Sequence, residues 1–325
     1  MIFISVGCPS SRRCKMSLSD SLMWLQCILE HAKEEHMPEL PEVETVRLGL
    51  QRLLPSKRIA SVWFDTEKSF PNATADVESF LIGAQITNVE RRAKVLIINL
   101  STDYSLLVHL KMTGQLVFVG KERFGAGHPN DSLINPLPDK STRVSLDLGD
   151  AVLYFNDQRK FGWVRLLPTV EIPNIDFMKK LGPEPLSSDI NAKLFHERLA
   201  RRVGTTIKAA LLDQSVIAGV GNIYADESLW AAQIHPATRV RDLSEQQTSL
   251  LFTELQAVLR LSIEKGGSSD RNYVNAEGKK GSYISFAKVF RREGQACPRC
   301  GSTIEKTRVA GRGTHVCTTC QKEPV

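Results

Sequence analysis

Apolar residues recur along this chain with two different spacings, and the change from one to the other divides it. Downstream of Pro41, Val43, Val46, Leu50, Leu53 and Leu54 fall on one face of a helix. A proline in the first turn costs that helix no hydrogen bond, and Glu42 and Glu44 lie where its dipole favours anions. Eight short runs rich in β-branched and aromatic residues follow, at 59–64, 86–91, 95–100, 106–110, 115–119, 142–148, 151–155 and 163–167. Their spacing predicts a β-sandwich or barrel. Residues 121–140, rich in Gly, Pro, Asn and Asp, are predicted to be a long loop. After Leu181-Gly182-Pro183-Glu184-Pro185 the spacing turns helical, with helices predicted over 192–202, 206–212, 226–232 and 244–265. A domain boundary is therefore expected near 168–185. The fold class is α+β and multidomain, with a β-sandwich over 37–170, a helical domain over 171–284 and a small cysteine module over 285–325.

The 325 residues, 42% hydrophobic and 24% charged, suffice for two separate cores. No run is long and apolar enough to cross a membrane. The apolar stretch 2–6 precedes Arg12, Arg13 and Lys15, the reverse of a secretory signal, so the protein is read as cytoplasmic. Residues 1–36, with a possible short helix at 21–33, are read as an extension, disordered or upstream of the true start; Met16, Met23 and Met37 are candidate starts. The net charge of +6 is uneven: residues 265–325 carry twelve basic and five acidic side chains. That excess suggests a polyanion partner, with a solvated basic tail as the alternative.

Cysteines are absent from 28 to 296, and the last four form a pattern. Cys297 and Cys300, then Cys317 and Cys320, have the spacing of a four-thiolate tetrahedral zinc site, each Cys-x-x-Cys turn presenting two sulfurs to one ion. The alternative is two disulfides or redox pairs, which a cytosolic setting disfavours. Four protein ligands leave no open position, so the zinc is expected to be structural, ordering a hairpin too short to fold alone.

Gly219-Val220-Gly221-Asn222 leads into a helix but lacks both the third glycine of a dinucleotide fingerprint and the Lys-Ser/Thr of a P-loop. Its exposed backbone N–H groups and the Asn222 amide would seat a phosphate. Met112 and Phe161, with Arg159 nearby, stand beside strand ends. Taken alone they read as core, although apolar wedges with an arginine can also fill the gap left when a base is rotated out of a duplex. Finally, removing everything through Met37 would leave Pro38 with a free secondary amine, a nucleophile; in a peptide bond its nitrogen has no lone pair to offer.

Together, MPELPEVETVR from Met37, DQRKFG from Asp157, AGVGNIYADESL from Ala218 and the terminal cysteine pairs resemble formamidopyrimidine-DNA glycosylase, a bacterial base-excision family that removes oxidised purines. The resemblance runs from Met37 to Lys322. It implies a β-sandwich, a helix-two-turn-helix domain and a zinc-ribbon hairpin, with double-stranded DNA carrying oxidised purines or abasic sites bound between the halves by a monomer. By the matching positions, Pro38, Glu39 and Lys94 are catalytic, the Pro38 amine attacking C1′ and Glu39 handling the proton. Met112, Arg159 and Phe161 are the base-displacing trio, Lys208, Asn222 and Arg312 contact DNA, mostly at phosphates, and residues 266–281 resemble a loop that closes over the extruded base. The implied activities are base excision and strand cleavage by β,δ-elimination. If residues 1–36 stay attached, the alternative is a non-catalytic damaged-DNA-binding protein. Gln158, Lys160 and Phe290-Arg291-Arg292 depart from the family's usual Pro, Arg and Tyr-Gly-Arg.

Overall fold

Strands form in the predicted β-rich runs, and their pairing makes two antiparallel sheets. A computed structural model describes residues 37–128, 130–268 and 283–324. The extension 1–36, its expected helix and most of the expected base-covering loop 266–281 lie outside the described residues. Helix α1 (Leu40–Leu53) precedes β1 (Ser61–Phe64), β2 (Ile86–Arg92), β3 (Val95–Leu100), β4 (Tyr104–His109), β5 (Gly114–Val119), β6 (Arg123–Gly127), β7 (Thr142–Asp147), β8 (Val152–Asp157) and β9 (Trp163–Pro168). One sheet has the order β1-β7-β8-β5-β6 and the other β2-β3-β4-β9.

Period-two alternation explains the layering. On β3 and β4, Leu96, Ile98, Leu106 and Val108 point into the main core with Leu116, Phe118, Leu146, Leu153 and Phe155 of the facing sheet. Val95, Ile97 and Leu107 point the other way, into a second cluster with Ile172 and Met178. A strand buried on both faces reads as a continuous apolar run, which is why residues 95–98 are uniformly hydrophobic.

The predicted loop at 121–140 is corrected in part, because β6 occupies its start and pairs with β5. Two glycines hide the strand from a propensity reading; only Phe124 and Ala126 carry the inward pattern. Gly49 of α1 makes room for the Phe124 ring, since a Cβ there would lie 2.0 Å from Phe124 Cζ.

The helical half comprises α2 (Ala192–Leu199), α3 (Ile207–Leu212), α4 (Asn222–Ala231) and α5 (Glu245–Glu264) around one core that includes Phe195, Leu211, Tyr224, Leu229, Leu255 and Phe290. Helix α4 begins four residues ahead of the expected start at 226. The hairpin β10 (Glu305–Val309) and β11 (Arg312–Val316) closes the chain. Glu184 ties the halves together: it accepts hydrogen bonds from Arg91 at 2.8 Å, Arg92 at 2.9 Å and the Ala93 N–H at 2.5 Å. Ala93 is held at φ +53°, so the β2–β3 turn that presents Lys94 is fixed from the helical side.

Candidate active site and nucleic-acid interface

Two helix starts converge on one carboxylate. Glu39 is the N-cap of α1 and only 3% exposed. Its Oε1 accepts the Ile223 N–H at 3.1 Å, the first turn of α4. The exposed N–H groups expected at Gly219–Asn222 are corrected: Gly221 and Ile223 are buried and the Ile223 N–H points at Glu39, while Asn222 is half-buried. Gly221 has to be glycine, because a Cβ would stand 2.2 Å from Glu39 Cδ. Burial pushes the Glu39 carboxyl up to about 7; Lys94 opposes that shift, and the Glu42 charge adds to it.

Glu42, one turn into α1, is buried and holds three groups. Its Oε2 accepts the Glu39 N–H at 2.9 Å, and its Oε1 accepts the Tyr224 hydroxyl at 2.5 Å and the Ser268 N–H at 2.8 Å. Lys94 reaches across from the sandwich and donates to the Val220 carbonyl at 3.0 Å. Burial lowers its pKa, the carboxylates of Glu39 and Glu42 pull it back up, and Arg312 lowers it further. Pro38 is buried immediately ahead of Glu39, at the entrance to α1. The structure thus gathers Pro38, Glu39 and Lys94 at the junction of the two halves.

Asp157, at the end of β8, builds the turn that carries two of the base-displacing candidates. Its Oδ2 accepts the N–H groups of Phe161 at 2.8 Å and Gly162 at 2.7 Å, and its Oδ1 accepts the Thr113 hydroxyl. The Arg159 N–H donates to Thr113 Oγ1 at 3.0 Å. These bonds hold Lys160 at φ +57° and leave Arg159 and Phe161 outside. Phe161 is 47% exposed, so the reading of it as core is overturned; a ring that large is not left in water by packing alone. Met112 is half-buried in the neighbouring β4–β5 turn. Beside it His109 is buried against Trp163 and Phe177, and burial with the nearby Lys111 and Lys94 charges brings its pKa down to about 3. It is a neutral ring at pH 7.

Lys208 is 0% exposed, paired with Asp226 at 2.6 Å. Asn222 Nδ2 donates to the Gly313 carbonyl at 3.0 Å, and Arg312 is exposed at the start of β11. The four cysteine sulfurs lie within 4.8 Å of one another, with pairs at 3.4 and 3.9 Å. A tetrahedron of thiolates around zinc has edges of about 3.8 Å, so the residues present fit one Zn²⁺ with every position filled by protein. Cys297, Cys300, Cys317 and Cys320 would hold it, tying both ends of the hairpin.

Sequence reasoning missed Asp157, Thr113, Tyr224 and Gly221 as supports. Asp157 and Gly221 lie in the DQRKFG and GVGN strings, but partners that give the four their roles, Glu39 for Gly221, Glu42 for Tyr224 and Asp157 for Thr113, are far away in sequence.

A buried acid and amine beside a proline, an arginine–phenylalanine turn and a zinc hairpin define a DNA-processing enzyme built from a sandwich and a helical half. Residues 37–164 match the N-terminal domain of formamidopyrimidine-DNA glycosylase, 181–273 its H2TH domain, and 294–322 a zinc finger shared with isoleucyl-tRNA synthetase. The Streptococcus mutans formamidopyrimidine-DNA glycosylase is 38% identical over 88% of this chain and 100% of its own length; that of Chloroflexus aurantiacus is 40% identical over 88% and 98%. The structure of the Lactococcus lactis enzyme with abasic-site DNA superposes with a TM-score of 0.78 at 35% identity, covering 88% of this chain and 100% of that one. The chain belongs to the formamidopyrimidine-DNA glycosylase family.

Proposed function

We propose that this chain, once it begins at Pro38, excises oxidised purines from duplex DNA and then cuts the strand at the abasic sugar. The observation that carries the reading is the buried Glu39, placed directly after Pro38 and beside Lys94 at the junction of the halves. The Pro38 amine attacks C1′ as the base leaves. Attack requires the neutral amine, which the positive start of α1 immediately downstream favours. Glu39 takes the proton that the nitrogen sheds, and its raised pKa near 7 suits it to give that proton to the sugar ring oxygen O4′, whose bond to C1′ breaks as the C1′=N⁺ iminium forms. The resulting iminium draws electrons from the sugar and acidifies the C2′ hydrogen, so β-elimination expels the 3′ phosphate and δ-elimination the 5′ phosphate. Lys94 and Arg312 supply positive charge to the phosphates, and Asn222, the first residue of α4, stands against the strand that carries Arg312. Met112, Arg159 and Phe161 fill the stack left by the extruded base.

The Lactococcus lactis relatives are described with abasic-site DNA and with DNA containing N7-benzyl-Fapy-dG, which supports the purine reading. Bacterial relatives support action on chromosomal DNA in the cytoplasm. Among the described residues no helix is long and apolar enough to cross a membrane.

Borohydride trapping on an oxidised-guanine duplex tests the proposal by comparing full-length protein with a chain started at Met37. The shorter form should give a covalent adduct, and protein that retains 1–36 should give none. Absence of an adduct from the shorter form overturns the covalent mechanism and leaves damaged-DNA binding.

A further inference from the structure

A lysine in a basic DNA-binding protein is ordinarily read as a phosphate contact, but Lys208 has no surface from which to make one. It lies on α3 with 0% exposure, and its ammonium donates to Asp226 Oδ1 at 2.6 Å, the Gly313 carbonyl at 2.8 Å and Thr314 Oγ1 at 2.7 Å. Thr314 passes the contact on: its hydroxyl donates to the Arg312 carbonyl at 3.0 Å. The other oxygen of Asp226 accepts the His315 N–H at 2.9 Å, and Asn222 Nδ2 donates to the Gly313 carbonyl. Three side chains of the helical half therefore hold the backbone of 312–315, while the Arg312 side chain alone faces outward.

Removing two unit charges from water costs several kcal/mol per ion, so a fully buried pair is a poor choice for stability alone. Its donors fix direction: an ammonium that binds Asp226, the Gly313 carbonyl and Thr314, the last two on one strand, sets where that strand begins. We propose that Lys208 is a positioning residue for Arg312, acting through Thr314 and the Gly313 carbonyl without touching DNA itself. The inference rests on Arg312 contacting a phosphate, as read above.

The test is the salt dependence of binding to a duplex that carries a tetrahydrofuran abasic analogue. Each phosphate contact adds about 0.9 to the slope of log K against log salt. Lys208→Met paired with Asp226→Asn removes both charges and leaves no orphaned ion; retained zinc and far-UV dichroism show that it folds. It should lower the slope by about 0.9, as Arg312→Ala does, and adding Arg312→Ala to it should change nothing further. Thr314→Val, which keeps the ammonium and its bond to the Gly313 carbonyl but removes the hydroxyl link to the Arg312 carbonyl, should weaken binding several-fold in the wild-type background and not in the Arg312→Ala background. A second drop of about 0.9 in the combined variant shows that Lys208 makes its own phosphate contact and overturns the proposal. So does an unchanged slope in the charge-neutral pair. An unchanged slope in Arg312→Ala alone overturns the reading of Arg312 and this proposal with it, a result distinguishable from the other two.

Discussion

Glycine at 221 is fixed by what stands opposite it, the Glu39 carboxylate. Gly221→Ala would push Cβ into Glu39 Cδ, which lies 2.2 Å from its ideal position, and the carboxylate must move. A displacement near 1 Å at a reacting group costs about a hundredfold, so the trapped covalent adduct should form at least about tenfold more slowly while DNA is still bound. Glu39 itself makes a separate stability prediction. Its folded pKa is about 7 against an ordinary 4.5, so between those values the folded chain keeps a proton that the unfolded chain has lost. The sign is destabilising as pH rises: the penalty is absent below 4.5, grows through the window and is complete above 7. Glu39→Gln, always neutral, should match wild type near pH 4 and exceed it by on the order of 1–3 kcal/mol near pH 8.5 in urea unfolding. Equal stabilities at both pH values would show that Glu39 is not held protonated. Arg291 offers a third case. It occupies φ +57°, a conformation that glycine adopts freely and that costs any other side chain about 1 kcal/mol. Arg291→Gly should raise the melting temperature by a few degrees, less what is lost from its contact with the Phe290 ring.

At the scale of elements, the Asp157 turn shows how a site can be built by one carboxylate. Asp157→Ala would free the N–H groups of Phe161 and Gly162 and strand the Thr113 hydroxyl, a loss of about 2–3 kcal/mol with the local turn loosened. Excision of an intact oxidised base should fall more than cleavage at a ready-made abasic site, because only the former needs the wedge. Equal losses on both substrates would place the effect elsewhere. The same turn marks how far the sequence was legible. Strands β2, β3, β5 and β9 emerge from short β-rich apolar runs within a residue or two of their ends, and α1 and α5 from helical periodicity, because burial dictates those patterns. Strand β6 was hidden by glycines chosen for close packing, and the start of α4 was hidden because its first turn faces a carboxylate 184 residues away in sequence. The cysteine cluster was readable from spacing alone. Glu39 and Lys94 needed the resemblance, since nothing local distinguishes a first-turn acid or a turn lysine from any other. The outward ring of Phe161 ran against the ordinary fate of a phenylalanine.

For the whole molecule, the zinc hairpin is a separate cluster docked on the helical half, and its fate on metal loss follows from that. Trp230, Val289, Cys297, Ile304 and Cys317 form a small apolar group, while the sandwich core and the helical core are closed without it. Chelation should therefore melt the hairpin and spare most of the secondary structure, leaving the far-UV helical signal nearly intact as zinc is released. The buried Lys208–Asp226 pair then loses Gly313, Thr314 and His315 together, and Arg312 is no longer held at its place. One lost charge-assisted contact corresponds to about 1.5–3 kcal/mol, so affinity for abasic-analogue duplex should fall at least about tenfold. The sandwich keeps its Asp157 turn and the junction keeps Glu39 between two helix starts. Residual binding should therefore still prefer the abasic analogue over undamaged duplex, and re-addition of zinc should restore the lost affinity. Full loss of helical signal on chelation would mean that the metal supports the helical core itself, and the picture of a docked hairpin would have to be abandoned.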